Sequence, residues 1–338
     1  MKCIILAAGY ATRLYPLTEN FPKPLLEVAG KPILDWLIDD MSQTGLIDEY
    51  IVISNHKFAP IFEQWAEKKQ LSTVNCQLSI LDDRTSSNDS RLGAVKDIQF
   101  AIDQLHLDDD LLVMAGDNLL DFSLSHFIRY AKDKQATCVM RYYEHDEARL
   151  HKTGVAEIDT DGRILSMEEK PANPKSHWCI PAFYYYTRQD ARLIKKGIDS
   201  GCGVDAPGSF IAWLSTQTTV YTYEMPGRRY DIGTLASYEA VKNSFPPTSK
   251  PYPSVEPEGE FVNEPAVTTY QQRTTPIKKI SEMRAYEQQL SLDTQKSAYQ
   301  LVDKIKKAVQ DVRQAASKHT HVGRSADDFL SELEQEEA

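Results

Sequence analysis

Seven short apolar runs punctuate the first two-thirds of the chain, at residues 4–8, 50–54, 77–81, 111–115, 136–141, 154–158 and 182–187. Each has the length of a strand, and residues 3–8 form an unbroken apolar block of the kind buried on both faces of a parallel sheet. Between the early runs the spacing becomes helical. Ile33, Leu34, Leu37, Ile38 and Met41 make one stripe, and Ile61, Phe62, Trp65 and Ala66 a second. Ala94, Ile98, Ala101, Ile102 and Leu105 make a third. Strand–helix alternation predicts a mostly parallel sheet covered on both faces, with ligands at the carboxyl ends of its strands. From about residue 151 the pattern turns strand-rich, with a turn at 159–162 and the aromatic run Phe183-Tyr184-Tyr185-Tyr186. This predicts an added layer able to close over a substrate. Strand alternation would divide those four rings between core and surface.

The pattern breaks near residue 245. Prolines at 246, 247, 251, 253, 257, 265 and 276 stand among Ser, Thr and Glu with few large apolar residues. Such a stretch buries too little surface to offset its ordering entropy, so 246–280 reads as a mobile linker. In 281–338, Ala298, Leu301, Val302, Ile305, Ala308, Val309 and Val312 share one helical face beside Lys304, Lys306, Lys307 and Arg313. A short acidic helix is predicted after Ser325, with Asp328 in capping-box position. Two readings of this tail stay open: docking on its own domain, or contact with a second copy or a pathway partner.

Composition removes several classes. The chain carries 49 acidic against 38 basic residues, a formal charge of −11, which argues against broad binding to nucleic acid or an anionic membrane surface. Five scattered cysteines with no C-x-x-C pair read as reduced apolar groups in a cytoplasmic protein. No apolar run is long enough to span a bilayer, and the opening one is too short for a leader.

The opening stretch carries the first chemistry. After the apolar block come Ala7, Ala8, Gly9 and Ala11, small residues that let a backbone approach a ligand, with Arg13 and Lys23 close behind. Bare backbone plus fixed positive charge suits a polyphosphate. Neither G-x-x-x-x-G-K-[ST] nor the dinucleotide glycine fingerprint is present. Four later motifs are each ordinary alone. Gly116-Asp117-Asn118 delivers an acid to a strand's carboxyl end, where it suits Mg²⁺ against phosphate. Glu168-Glu169-Lys170-Pro171 is a charged turn, and Tyr230-Asp231-Ile232-Gly233 offers a second acid. Asn88 to Ala94 is a polar loop ending at Gly93, where a helix begins.

In combination, A-A-G-x-A-T-R-L-x-P-L-T with P-K-P, then G-D-N, E-E-K-P and Y-D-I-G, resembles the sugar-phosphate nucleotidylyltransferase family, most of all its glucose-1-phosphate thymidylyltransferase branch. The resemblance covers 1–245. It implies the three-layer, Rossmann-like α/β fold of nucleotide-diphospho-sugar transferases and the joining of a sugar 1-phosphate to a nucleoside triphosphate, dTTP or UTP, with release of pyrophosphate. It further implies that Arg13 and Mg²⁺ stabilise the triphosphate and Lys23 binds phosphate near the reacting centre. Lys170 would grip the sugar phosphate, Glu169 would accept from sugar hydroxyls, and Gly154 would admit the sugar to the backbone. Asp117 and Asp231 would hold the metal from opposite strands. Leu6, Ala8, Gly9, Thr12, Asn88 and Gly93 would take base and ribose, with the Asn88 amide facing a pyrimidine edge. The family often has glycine where Ala11 stands, so a slightly altered loop with retained activity is expected. Two alternatives stand beside this reading. One is a cytidylyltransferase acting on phosphocholine, with the Tyr184–Tyr186 rings as a cage. The other is a regulatory subunit that binds nucleotide-sugar without turnover.

Overall fold

The computed structural model describes residues 1–42, 44–70 and 76–245. The predicted linker and tail helices, 246–338, lie outside the described residues. In chain order the strands are β1 (Lys2–Leu6), β2 (Glu27–Val28), β3 (Lys31–Pro32), β4 (Glu49–Ser54), β5 (Gln77–Asp82), β6 (Leu111–Ala115) and β7 (Asn118–Leu120). They continue with β8 (Thr137–Tyr143), β9 (Gly154–Ile158), β10 (Ile164–Glu169), β11 (Trp178–Ile180), β12 (Phe183–Tyr186), β13 (Val220–Glu224) and β14 (Arg229–Asp231). The helices are α1 (Ile33–Ser42), α2 (Ala59–Gln70), α3 (Ala94–Leu105), α4 (Ser125–Lys134), α5 (Glu147–Leu150), α6 (Arg188–Ala191), α7 (Ile194–Asp199), α8 (Gly208–Leu214) and α9 (Leu235–Ser244).

The main sheet runs β10-β9-β11-β8-β12-β6-β1-β4-β5, with β13 beside β8. β5, β4, β1 and β6 are mutually parallel, β12 is antiparallel to β6 and β8, and β13 is parallel to β8. The central strands therefore share one direction except β12. Beyond β8 the order β11-β9-β10 is antiparallel throughout: the strand-rich stretch predicted from residue 151 is present, but it extends the same sheet at its edge and adds no separate layer. Its β9–β10 hairpin turns at Asp159, whose carbonyl accepts from Gly162 N at 3.1 Å.

Strand alternation builds the two covered faces. Cys3, Ile5, Tyr50, Val52, Leu112 and Met114 point into one core with the apolar sides of α1, α2 and α4. Ile4, Ile51, Ile53, Leu111 and Val113 point into the other with α3, α7 and α8. The structure is thus helix–sheet–helix in three layers. The aromatic run departs from expectation: all four residues Phe183–Tyr186 are buried. Phe183 and Tyr185 enter the first core while Tyr184 and Tyr186 enter the second, because β12 lies inside the sheet and has no solvent face. The third predicted stripe is also shifted. Val95 is fully buried on α3, whereas Leu105 is 38% exposed at its end.

Packing leaves one acid in an unusual position. Asp97, in the first turn of α3, is 6% exposed, and its Oδ1 has no hydrogen-bond partner. Burial, then the charge of Asp83, pushes its carboxyl up to about 7, against the opposing pull of Arg91. An unfolded Asp titrates near 4, so between about 4 and 7 the folded chain holds the extra proton and stability falls as pH rises. Asp97→Asn is expected to raise the unfolding midpoint at pH 8 and to lose that advantage near pH 4. Equal shifts at both pH values in thermal scans would contradict the assignment.

Candidate active site

The site starts where β1 ends. Leu6 O accepts from Gly116 N at 3.0 Å, and Ala8 O accepts from Asn55 Nδ2 at 2.9 Å, so the first loop is tied to the ends of β4 and β6. Tyr10 hydroxyl donates to Thr85 O at 3.2 Å, tying it also to the loop after β5. Between these anchors Gly9 is exposed, and a Cβ added there would meet nothing within 4 Å. The fold does not require glycine at this position; what glycine supplies is clear space over the backbone. Ala11 is different. Its φ of 48° is left-handed, a region costly for any residue with a Cβ and one that glycine would adopt without that cost. Thr12 and Arg13 follow in a short 3-10 turn, both exposed, and Arg13 makes no hydrogen bond or ion pair among the described residues.

A second short turn, Lys23–Leu25, places Lys23 against the end of β6. The Lys23 side chain is 9% exposed and its Nζ donates to Asp117 Oδ2 at 2.6 Å. A Cβ at Gly116 would stand 2.9 Å from Ile5 Cγ2, so glycine lets the chain leaving β6 lie close against β1. Burial opposes ionisation of Asp117, but the Lys23 charge and hydrogen bond outweigh it, with help from Arg229, and hold the carboxyl below the usual range. Asn118 Nδ2 donates to Asp117 Oδ1 at 3.2 Å, which leaves the carboxylate further acceptor capacity toward solvent. From Asn118 the chain enters β7, whose antiparallel partner β14 sets Asp231 opposite Asn118. Asp117 and Asp231 therefore come from neighbouring strands, with Arg229 between them: its Nη1 donates to Asn118 Oδ1 at 2.9 Å and lies 3.7 Å from Asp231 Oδ1. Asp231 is 69% exposed. Thr234 then caps α9 through a reciprocal pair with Ser237.

A cavity of about 950 Å³ opens here. Arg13, Asp117, Glu169 and Asp231 line it, together with Arg149, Lys152, Arg228, Arg229, Tyr142, Tyr143, Tyr184 and Gly208. The cationic residues Arg149, Lys152, Arg228 and Arg229 were not singled out from the sequence. The adjacent pair Arg228-Arg229 just before Tyr230-Asp231 was the signal that could have found two of them. Other expected residues lie off the lining. Lys23 sits behind Asp117. Lys170 is exposed in a left-handed conformation (φ 50°) with its backbone N bonded to Thr153 O at 3.1 Å. Gly154 opens β9 beneath Glu169. Leu6, Ala8, Gly9 and Thr12 form the neighbouring loop, and Asn88 is exposed on the loop after β5. Gly93 has its own structural reason, a φ of 91° and a Cβ position only 2.5 Å from Val204 O.

Residues 2–246 match the nucleotidyl transferase family. The chain belongs to that family. Among its relatives are the bifunctional protein GlmU of Methanocaldococcus jannaschii, 28% identical over 69% of this chain and 51% of that protein, and the glucose-1-phosphate adenylyltransferase of Fervidobacterium nodosum, 26% identical over 70% and 59%. The glucose-1-phosphate thymidylyltransferase of Mycolicibacterium smegmatis is 30% identical over 58% of this chain and 65% of that protein. The chain thus spans little more than half the length of the first two. In three dimensions it is similar to a UDP-glucose pyrophosphorylase complexed with UDP-glucose, with a TM-score of 0.61 at 19% identity, covering 72% of this chain and 97% of that one. It is also similar to a putative glucose-1-phosphate thymidylyltransferase from Bacillus anthracis, with a TM-score of 0.58 at 23% identity, covering 72% and 94%. These similarities agree with the nucleotide-diphospho-sugar transferase fold expected from the nucleotidyl transferase motifs.

The Lys23–Asp117 pair makes an asymmetric demand on the fold. Lys23 is the more buried partner, so losing its counter-charge costs more than losing the lysine. Asp117→Ala is expected to destabilise by about 3 kcal/mol and Lys23→Met by about 1 kcal/mol. Urea unfolding at pH 7 checks the order, and the reverse order would refute the pairing.

Proposed function

We propose that the chain transfers a nucleotidyl group from a nucleoside triphosphate to a sugar 1-phosphate, giving a nucleotide-sugar and pyrophosphate. The observation that carries this reading is the single cavity lined by Arg13, Asp117, Glu169 and Asp231, residues spread over more than two hundred positions of the chain. An acceptor phosphate oxygen attacks the α-phosphorus, the bond between that phosphorus and its bridge to the β-phosphate breaks, and pyrophosphate departs with the bonding electrons. Two anions must meet, so alignment and charge neutralisation carry the rate. Each cation within 4 Å is worth about 4 kcal/mol at an effective dielectric near 20, so Arg13 and its neighbours on the cavity wall suffice to matter.

In this proposal Gly9 and the loop around it, with Leu6, Ala8 and Thr12, take the nucleotide, and Arg13 meets the triphosphate. Asn88 and Gly93 belong to the base-side loop that Tyr10 ties to the first. Glu169 receives hydrogen bonds from acceptor hydroxyls, Gly154 gives the carboxylate room, and Lys170 beside it attracts the acceptor phosphate. Lys23 works through Asp117 and lies close enough to offer charge to the reacting phosphates. Asp117 and Asp231 fit Mg²⁺, because that ion takes one or two carboxylates and completes its shell with water and phosphate oxygens. Bound there, Mg²⁺ supplies Lewis-acid neutralisation of the phosphates.

Relatives named for thymidylyl, uridylyl and adenylyl transfer support glucose 1-phosphate as acceptor and leave the base to experiment. The phosphocholine alternative loses most of its suggested cage: Tyr185 and Tyr186 are buried in opposite cores, and Tyr184, although it lines the cavity, is only 2% exposed.

The full chain incubated with glucose 1-phosphate, Mg²⁺ and dTTP, UTP, CTP or ATP is expected to release pyrophosphate with at least one triphosphate. EDTA should abolish the release, and Asp231→Asn should lower kcat by about a hundredfold or more. Silence across that panel and a wider set of sugar phosphates would refute the proposal. Gly9→Ala separates binding from folding. Its unfolding midpoint should match the parent while KM for the triphosphate rises; a matched loss of both would return Gly9 to a structural role.

A further inference from the structure

Glu169 ends β10 with its carboxylate on the cavity wall, and among the described residues nothing hydrogen-bonds it. Burial pushes this carboxyl above the usual range, with Lys170 opposing. What holds it in place is space left free by two glycines from different elements. A Cβ at Gly208 would stand 2.1 Å from Glu169 Oε2, 3.2 Å from its Cδ and 3.2 Å from Met167 Cε. A Cβ at Gly154 would stand 2.9 Å from the same oxygen and 2.5 Å from Met167 Cε. Neither glycine has the positive φ that would explain it by backbone conformation.

The two walls differ in what a side chain there would disturb. At position 154 the first obstacle is Met167, a core residue. At position 208 the first obstacle is the free end of Glu169 itself. The wall at 208 cannot recoil, because Phe210, Ile211 and Leu214 of α8 are completely buried in the same core as Met167. A methyl group at 208 would therefore ask only a small adjustment of the Met167 tip, at 3.2 Å, and would chiefly move the carboxylate.

We propose that Gly208 is a positioning residue for the acceptor: α8 presents a side-chain-free wall that seats the Glu169 carboxylate, so that the cavity selects acceptors offering hydroxyl donors to it. This rests on the reading of Glu169 as the acceptor's anchor. A carboxylate confined before binding loses less freedom when two hydroxyls engage it, and a displacement of about 1 Å at such a group costs up to a hundredfold. A single methyl on α8 would be enough to change acceptor preference without touching the nucleotide side.

The test uses the full chain and three variants: Gly208→Ala, Glu169→Asp and the two combined. For Gly208→Ala, KM for glucose 1-phosphate is expected to rise about 10- to 100-fold, with KM for the triphosphate and the unfolding midpoint unchanged. Glu169→Asp retracts the carboxylate by one methylene and removes the clash, so the combined variant should resemble Glu169→Asp alone rather than show the summed loss. A readout independent of turnover is the carboxyl titration of Glu169, followed by NMR in ¹³C-glutamate-labelled protein. In Gly208→Ala it should move down toward that of a solvated glutamate. Additive losses, a parallel rise in both KM values, an unfolded Gly208→Ala variant, or an unmoved titration would each overturn the proposal. Absence of turnover in the parent would refute the acceptor reading and leave the titration to judge the seat.

Discussion

The site depends on one buried ammonium. Lys23 reaches Asp117 across 94 positions of sequence and is 9% exposed where it does so. A lysine in that setting needs a counter-charge, and among the described residues the carboxylate it pairs with is Asp117, just past the end of β6. Meeting that need fixes the second short turn against the sheet, the first loop with it, and Asp117 at the mouth of the cavity. β7 and β14 then bring Asp231 alongside. The ladder is short, but its register leaves no freedom over which residue faces Asn118.

The two halves of the sheet divide the labour. The parallel strands β1, β4 and β5 end in loops that bond to one another through Asn55, Tyr10 and Thr85, so the side proposed for the nucleotide is one connected surface. The antiparallel strands β9 to β11, with α8 behind them, supply a pocket of side chains around Glu169. Charge follows the same division. Among the described residues Arg13 makes no ion pair and lies beside the first surface, whereas Arg149 and Lys152 lie just before β9 in the second and Arg228 just before β14, so cations line the cavity from several elements.

Much of this was legible in the sequence because the signals were local. Buried parallel strands are unbroken apolar runs, and all seven predicted runs correspond to strands, while β7, β11 and β14 are three residues each and carry no period to read. The helices α4 to α9 were missed for a related reason: several span only one or two turns, and their boundaries are set by caps such as Asp146, Thr187 and Thr234. The aromatic run was misjudged because alternation says which residues share a face but not whether that face meets water; β12 has a layer on each side. Within the site, motif spacing named Arg13, Asp117, Glu169 and Asp231, which the cavity gathers. It could not show that Lys23 is bound to Asp117 or that Lys170 is exposed beside the cavity and not on its lining, since both depend on how the folded loops are placed. The role of Gly208 has no sequence signal at all, because it is defined by the tip of a side chain thirty-nine positions earlier.

The clear ground above Gly9 has a consequence for how this chain tolerates change. Nothing in the folded molecule resists a methyl group at that position. On the proposed reading of Gly9 as a nucleotide contact, damage there would escape any survey that counts soluble or heat-resistant protein and would surface only when nucleotide is offered. A healthy-looking preparation that starves at ordinary nucleotide concentrations is the signature that reading expects.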